Sequence, residues 1–247
     1  MSGRAPGSAP GGYELLTLAP AEREQIEEQL GACFGLTPAG ARAWVATSAR
    51  RGWYYGWRAG ERIAASVAFE PLEFARGGRA AGAAPLRALL LQSHYVHPDF
   101  RGQGYRVREA FLDAVLERHD GRAIVLCLYD DALTDYWHEV GFELEHGREI
   151  VTVAAALDRW AAALSPAVSA GYLAVKREEA AADGASITES GGLVLIRDRG
   201  SAVHTELLVT DLEHARLAPE ALLARPLEVT TIMSYPARLG LFCPVVV

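Results

Sequence analysis

The sequence predicts an α/β fold followed by a smaller C-terminal α+β region, on three observations. Short apolar runs bounded by Gly and Pro alternate with stretches whose apolar residues recur every three or four positions, the marks of strands and helices. A Gly-x-Gly turn, Gly102-Gln103-Gly104, stands between an apolar run and an amphipathic stretch. From Ser165-Pro166 onward the order changes and that turn does not recur.

Residues 1–12 are rich in Gly, Pro, Ser and Ala and are expected to be disordered. Tyr13 to Leu18 reads as the first strand, and Pro20 begins a helix with Ile26, Leu30 and Cys33 along one side. Thr37-Pro38 opens a second helix carrying Ala41, Trp44, Val45 and Ser48. Trp53 to Trp57 and Ile63 to Phe69 flank Ala59-Gly60 as a hairpin, with Trp53, Tyr55 and Trp57 on one face. Pro71 to Pro85 is expected to be a loop or an extension of that hairpin. Leu89-Leu90-Leu91 reads as a strand that Val96-His97-Pro98 ends, because proline has no N–H for a ladder. A helix is expected to open at Arg101, with Val107, Ala110, Phe111, Ala114 and Val115 on its apolar side.

Ala123 to Leu128 is the next strand, and Asp130-Asp131 read as capping carboxylates for the short helix after it. Phe142 to Leu144 and Ile150 to Ala154 read as a hairpin around His146-Gly147, and Leu157 to Leu164 as a helix. These elements make one domain over residues 13–163. In residues 170–247, strands are expected at Gly171 to Val175, Gly192 to Ile196, Val203 to Val209, Leu227 to Met233 and Leu241 to Val247, with a helix from Leu212 to Leu223. That order is open to two readings, a degenerate half-copy of the first domain or an unrelated α+β appendage.

Two glycines at a helix start leave successive backbone N–H groups accessible within the positive field of the helix dipole, a pocket suited to a diphosphate. Alone, Gly-x-Gly is weak evidence and reads first as a tight turn. The flanking residues carry more. Val96-His97-Pro98-Asp99-Phe100-Arg101-Gly102-Gln103-Gly104 resembles the cofactor motif of the GNAT superfamily of acyl-CoA-dependent N-acyltransferases. Trp137-His138-Glu139-Val140-Gly141-Phe142 resembles the Gly-Phe block of that family, and the resemblance covers residues 13–160.

The resemblance implies a mixed sheet in the element order above, with acetyl-CoA or another acyl-CoA as co-substrate. It assigns cofactor contacts to Tyr95, Val96, Arg101, Gly102, Gln103, Gly104, Tyr105 and Arg106, with Trp137 beside the pantetheine arm. The implied reaction moves an acyl group, acetyl by default, to a primary amine of a small molecule. Such chemistry needs a base for the amine and an acid for the leaving thiolate. The family's base projects from the strand before the turn or from a neighbour, where this chain offers Gln92, His94 and Tyr95, and Glu70 on the preceding strand. An ordinary imidazole pKa of about 6.5 suits His94 to that role. The family's acid is often a tyrosine four residues before the Gly of Gly-Phe. Trp137 stands there, so the adjacent Tyr136 is the candidate. Arg106 fills a slot usually held by a small residue, and either pairs with phosphate or obstructs the pocket. These two departures keep another reading open: a GNAT-fold protein without acyl transfer, binding CoA or another ligand, or working as a lyase.

A net charge of −7 argues against a general nucleic-acid or anionic-membrane binder. The cations are almost all arginine, with Lys176 the only lysine. Cys33, Cys127 and Cys243 are far apart in apolar surroundings and are expected to be buried thiols, with neither disulfide nor metal-site spacing. No signal-like run opens the sequence and no apolar stretch reaches the ~20 residues of a membrane span, so a cytoplasmic protein is expected. The apolar stretch 241–247 is expected to pair within a sheet or a homodimer.

Overall fold

The computed structural model describes residues 12–78, 84–128 and 130–244. The expected disorder of residues 1–12 and the centre of the expected 71–85 loop therefore lie mostly outside the described residues. The chain divides into two compact units, Met1–Pro71 with Leu89–Ile124, and Leu72–Ala88 with Val125–Val247. This division differs from the boundary expected at residues 163–170, because residues from Val125 onward group with the C-terminal part.

In the first unit, β1 (Glu14–Leu15) leads to α1 (Pro20–Phe34) and α2 (Pro38–Ser48). The Glu22 carboxylate accepts from the Ala19 N–H at 3.0 Å, and Gly35 at φ +66° ends α1. Thr37 Oγ1 caps α2 by accepting from the Gly40 N–H at 3.1 Å. Ile26, Leu30, Ala41 and Val45 meet Tyr54, Ile63 and Ala68 in one apolar core. Cys33 departs from expectation: it is exposed, because the buried stripe of α1 runs through Ile26, Gln29 and Leu30.

The hairpin forms as β2 (Trp53–Ala59) and β3 (Arg62–Arg76), pairing Trp53 with Phe69 and Ala59 with Arg62 around Gly60 at φ +64°. β4 (Leu86–Val96) follows, then α3 (Glu109–Arg118) and β5 (Ala123–Leu128). The strand order in this unit is β1-β2-β3-β4. The shared face of β2 packs on α3: Tyr55 lies edge-on to Phe111, its hydroxyl sits 2.8 Å from His119 Nε2, and Trp53 stacks on His119 at 3.7 Å.

In the second unit, α4 (Thr134–Val140), β6 (Glu143–His146), β7 (Glu149–Thr152), α5 (Val153–Ala162) and β8 (Leu164–Pro166) come first. Then come α6 (Ala170–Asp183), β9 (Ser186–Ser190), β10 (Leu193–Arg197), β11 (Glu206–Val209), α7 (Leu212–Ala215), α8 (Glu220–Leu223), β12 (Pro226–Val229) and β13 (Thr231–Tyr235). β9, β10 and β11 form an antiparallel meander, and β8 pairs antiparallel with the end of β3. Trp160, Leu195, Leu207, Leu227 and Phe242 share its apolar core.

Several expectations for this part are corrected. Gly171 to Val175 is helical, because Ser169 Oγ caps the Tyr172 N–H at 3.1 Å and Leu173, Lys176 and Ala180 bury one helical face. β6 and β7 are not a hairpin: β6 pairs with β13 and β7 with β12. The expected strand Leu227 to Met233 is thus two strands meeting different partners. The helix expected from Leu212 to Leu223 is interrupted at Pro219, which caps α8. β9 is polar and carries no apolar strand signal. Leu241 bridges Leu164 and Phe242 is buried in this unit's core, while residues 245–247 of the expected last strand lie outside the described residues. The lone lysine is buried: Lys176 Nζ is 3.1 Å from Glu179 and 3.3 Å from Glu206, whose pKa burial pushes up to about 7. The Cys127 thiol hydrogen-bonds with that of Cys243.

Candidate functional site

The turn expected to start a helix does not do so directly. β4 runs into a short 3-10 turn at Pro98–Phe100, and Arg101 to Gly104 form a further exposed turn. α3 begins only at Glu109, after extended backbone at Arg108 (φ −135°, ψ 153°). Gly102 at φ +75° and Gly104 at φ +85° alternate with residues of ordinary handedness, which breaks helical continuity before Glu109.

That alternation leaves part of the turn's backbone donors without a backbone partner. The N–H groups of Arg101, Gln103 and Arg106 donate to the carbonyls of Pro98, Phe100 and Gly104. Among the described residues, those of Gly102, Gly104 and Tyr105 make no backbone hydrogen bond. Uncommitted amides around left-handed glycines form an anion-binding concavity, strengthened by cations at its rim. Arg101, Arg106 and Arg108 are exposed there. No described heavy atom outside the adjoining residues lies within 4 Å of where a Cβ on Gly104 would stand.

The turn is braced from below. Arg101 Nε donates to the Val96 carbonyl at 3.2 Å, and Gln103 Nε2 to the Asp99 carbonyl at 2.7 Å. Tyr105 lies edge-on to both Trp57 (5.0 Å) and Phe100 (5.5 Å). Arg62 pairs with Asp99 at 3.1 Å, and the His97 N–H donates to the Ala64 carbonyl at 2.9 Å. Tyr95 is buried beneath the turn. The residues present therefore suit a diphosphate held by backbone amides with arginine support.

One pleat repeat back along β4 is a polar cluster. Glu70 on β3 is buried, ion-paired with Arg51, and accepts a hydrogen bond from Gln92 Nε2. His94 shares the strand face of Gln92, since side chains two apart on a strand point the same way. Only partly exposed, its ring is packed closely enough for burial to pull the pKa down to about 4. It is neutral throughout the physiological range. Nothing in the local sequence marks Arg51, which reads as one of two basic residues closing α2. Its pairing with Glu70 follows from the hairpin register.

The candidate acid lies in the second unit. Tyr136 is half-buried on α4, and Trp137 is a buried side chain edge-on to Phe142 at 5.2 Å. Asp130 caps the turn before α4 by accepting from the Ala132 N–H at 3.0 Å. Asp131 accepts from the Thr231 hydroxyl at 2.6 Å and pairs with Arg148 at 3.4 Å. Among the described residues no group of three or more His, Cys, Asp or Glu is placed to hold a metal ion, and no helix is long and apolar enough to cross a membrane.

No protein-family model matches the chain, and no curated protein matches its sequence. Solved structures do match in fold. A conserved protein of unknown function from Enterococcus faecalis V583, described as a probable N-acyltransferase, aligns with TM-score 0.60 at 10% identity, covering 90% of this chain and 72% of that one. A GCN5-related N-acetyltransferase from Kribbella flavida aligns with TM-score 0.55 at 16% identity, covering 90% and 70%. One from Anabaena variabilis ATCC 29413 aligns with TM-score 0.51 at 12% identity, covering 90% and 72%. At these identities the likeness is one of fold: the chain has the α/β fold of the GCN5-related N-acetyltransferases.

Proposed function

We propose that the protein transfers an acyl group, acetyl by default, from acyl-CoA to a primary amine of a small molecule. The observation that carries this reading is the exposed turn from Arg101 to Tyr105, whose uncommitted amides at Gly102, Gly104 and Tyr105 suit a diphosphate. The fold supports it, because the matched structures include named N-acetyltransferases. Bound acyl-CoA supplies an activated acyl group. The chain's own residues hold its phosphates at the turn and take up the amine proton at His94, directly or through water. A pKa of about 4 keeps that imidazole ready to accept a proton at neutral pH, at the cost of a weaker driving force. Glu70, committed to Arg51 and Gln92, is assigned a supporting part instead. Tyr136 is assigned the proton for the departing thiol.

Calorimetry with acetyl-CoA, followed by a thiol-release assay on a panel of primary amines, tests the reading. Binding and thiol release are expected. Absence of acetyl-CoA binding would overturn the cofactor assignment. Binding without release on any amine would favour the non-transferring alternative.

A further inference from the structure

In the polar cluster behind the turn the bonding of Gln92 is incomplete. Gln92 is nine-tenths buried, and its two amide atoms have different fates. Nε2 donates to Glu70, whereas Oε1 has no hydrogen-bond partner among the described residues. This orientation follows from chemistry. A carboxylate only accepts, so the amide must turn its nitrogen toward Glu70 and its oxygen away. Arg51 is ion-paired with the same carboxylate. A buried carbonyl without a donor is costly and calls for a partner.

A second buried glutamine in the same unit shows the contrast. Gln29 Nε2 donates to the Ile63 carbonyl at 2.8 Å and its Oε1 accepts from the Ser66 hydroxyl at 2.6 Å. Both ends are used, and the residue ties α1 to β3. Gln92 has the same chemistry, similar burial and one end left over.

We infer that Gln92 Oε1 is the hydrogen-bond acceptor for the N–H of the acceptor amine, aligned by the Arg51–Glu70 pair. This rests on the transferase reading and adds how the amine is recognised. The charge balance favours a neutral amine over an ammonium ion. Arg51 offsets the charge of Glu70, and the neighbouring His94 is neutral, so no uncompensated anion is present to hold a cation. A neutral amine is also the nucleophilic form. Gln92 is thus a specificity-determining contact that selects an N–H donor, and Arg51 and Glu70 are positioning residues acting through it.

The test uses the full chain and the variants Gln92→Met, which keeps side-chain length without either polar atom, and Glu70→Gln. Three readouts separate the possibilities: acetyl-CoA affinity by calorimetry, KM for acetyl-CoA and for n-butylamine and benzylamine separately, and the side-chain amide signal of Gln92. That signal is assigned in a 15N spectrum by its disappearance in Gln92→Met. Gln92→Met is expected to leave acetyl-CoA affinity unchanged and to lower kcat/KM for the amine by about 10- to 100-fold, the effect of a lost bond and an unpaired N–H. Glu70→Gln is expected to give a smaller loss in the same amine-specific parameter, since its amide no longer dictates which way Gln92 faces. Amine titration should shift the Gln92 signal saturably, whether or not turnover follows. A Gln92→Met protein with unchanged amine kinetics, or a Gln92 signal that no amine shifts, would overturn the inference. Loss of acetyl-CoA affinity in wild type would instead strike the transferase reading.

Discussion

Glu145 and Gln92 are both polar side chains buried in the protein, one in each compact unit, and they differ in completeness. Glu145 has both oxygens engaged. Oε1 accepts from the Ser234 hydroxyl and the Leu239 N–H, and Oε2 from the N–H groups of Gly240 (2.9 Å) and Leu241 (3.0 Å). One carboxylate thereby fixes the path of the chain after β13. Gln92 has one end fixed and one end open. The difference teaches that burial alone does not separate scaffold from site. A saturated buried group such as Glu145 holds the fold together, whereas the open end of Gln92 is the one proposed to receive a substrate.

The largest effect is therefore expected at the saturated group. Glu145→Ala leaves the amides of Leu239, Gly240 and the buried Leu241 without their acceptor, a loss of about 3–5 kcal/mol and of order 10 °C in Tm. Gln92→Met should move Tm less, because it removes one hydrogen bond, to a carboxylate that keeps its ion pair with Arg51. Thermal melts followed by circular dichroism on the two variants check this. Equal destabilisation would erase the distinction between them.

His94 sharpens the comparison through chemistry. His94→Gln is expected to lower the chemical step by about 10²- to 10⁴-fold, the usual reach of general-base catalysis. The wild-type rate should fall with an acid limb near pH 4, following the depressed imidazole. Stability follows the same sign. The folded pKa of about 4 lies below the ordinary value, so the unfolded chain takes up the proton first as pH falls. The contribution of His94 is complete above about pH 6.5 and is lost progressively down to pH 4. His94→Gln should flatten that part of the Tm-against-pH curve. A limb at pH 6.5 would mean that the ring is open to water.

The sequence made some of this legible and hid the rest, for physical reasons. β2 and β3 were readable because a hairpin is local: alternating aromatics, a Gly turn and a partner a few residues away. The glycine turn was readable because Gly102 and Gly104 have a conformational reason to be glycine. β6 and β7 were misjoined because each pairs with a strand more than seventy residues onward, and no local pattern encodes that choice. α6 was mistaken for a strand because Gly171 to Val175 was read without Ser169 and the buried Leu173–Lys176–Ala180 spacing. At the site, His94 and Glu70 stood out as titratable residues near the turn. The part of Gln92 did not, because an amide orientation depends on Arg51 and Glu70, which only the folded hairpin brings together.

Gly104→Val tests the open turn itself. At φ +85° a β-branched residue is strained by about 1–3 kcal/mol, and relief of that strain moves the amides of the turn. No described atom crowds the position, so the fold should survive. The expected outcome is a loss of acetyl-CoA affinity of about 10-fold or more with a near-normal melt. Unchanged affinity by calorimetry would remove the turn from the cofactor site.

The smallest effect is expected where water can take over. Asp130 is exposed and caps the turn before α4 through one bond to the Ala132 N–H at 3.0 Å. Asp130→Ala removes a helix-start acceptor that solvent replaces in part, so the loss should be about 1 kcal/mol, or 2–4 °C in Tm. Asp131, next to it, is tied into the fold through Thr231 and Arg148, and Asp131→Ala should cost more although it too is exposed. Urea unfolding of both variants reads the order directly. If Asp130→Ala proved the more damaging, partner completeness would not be what ranks these groups, and the distinction drawn between Glu145 and Gln92 would lose its basis.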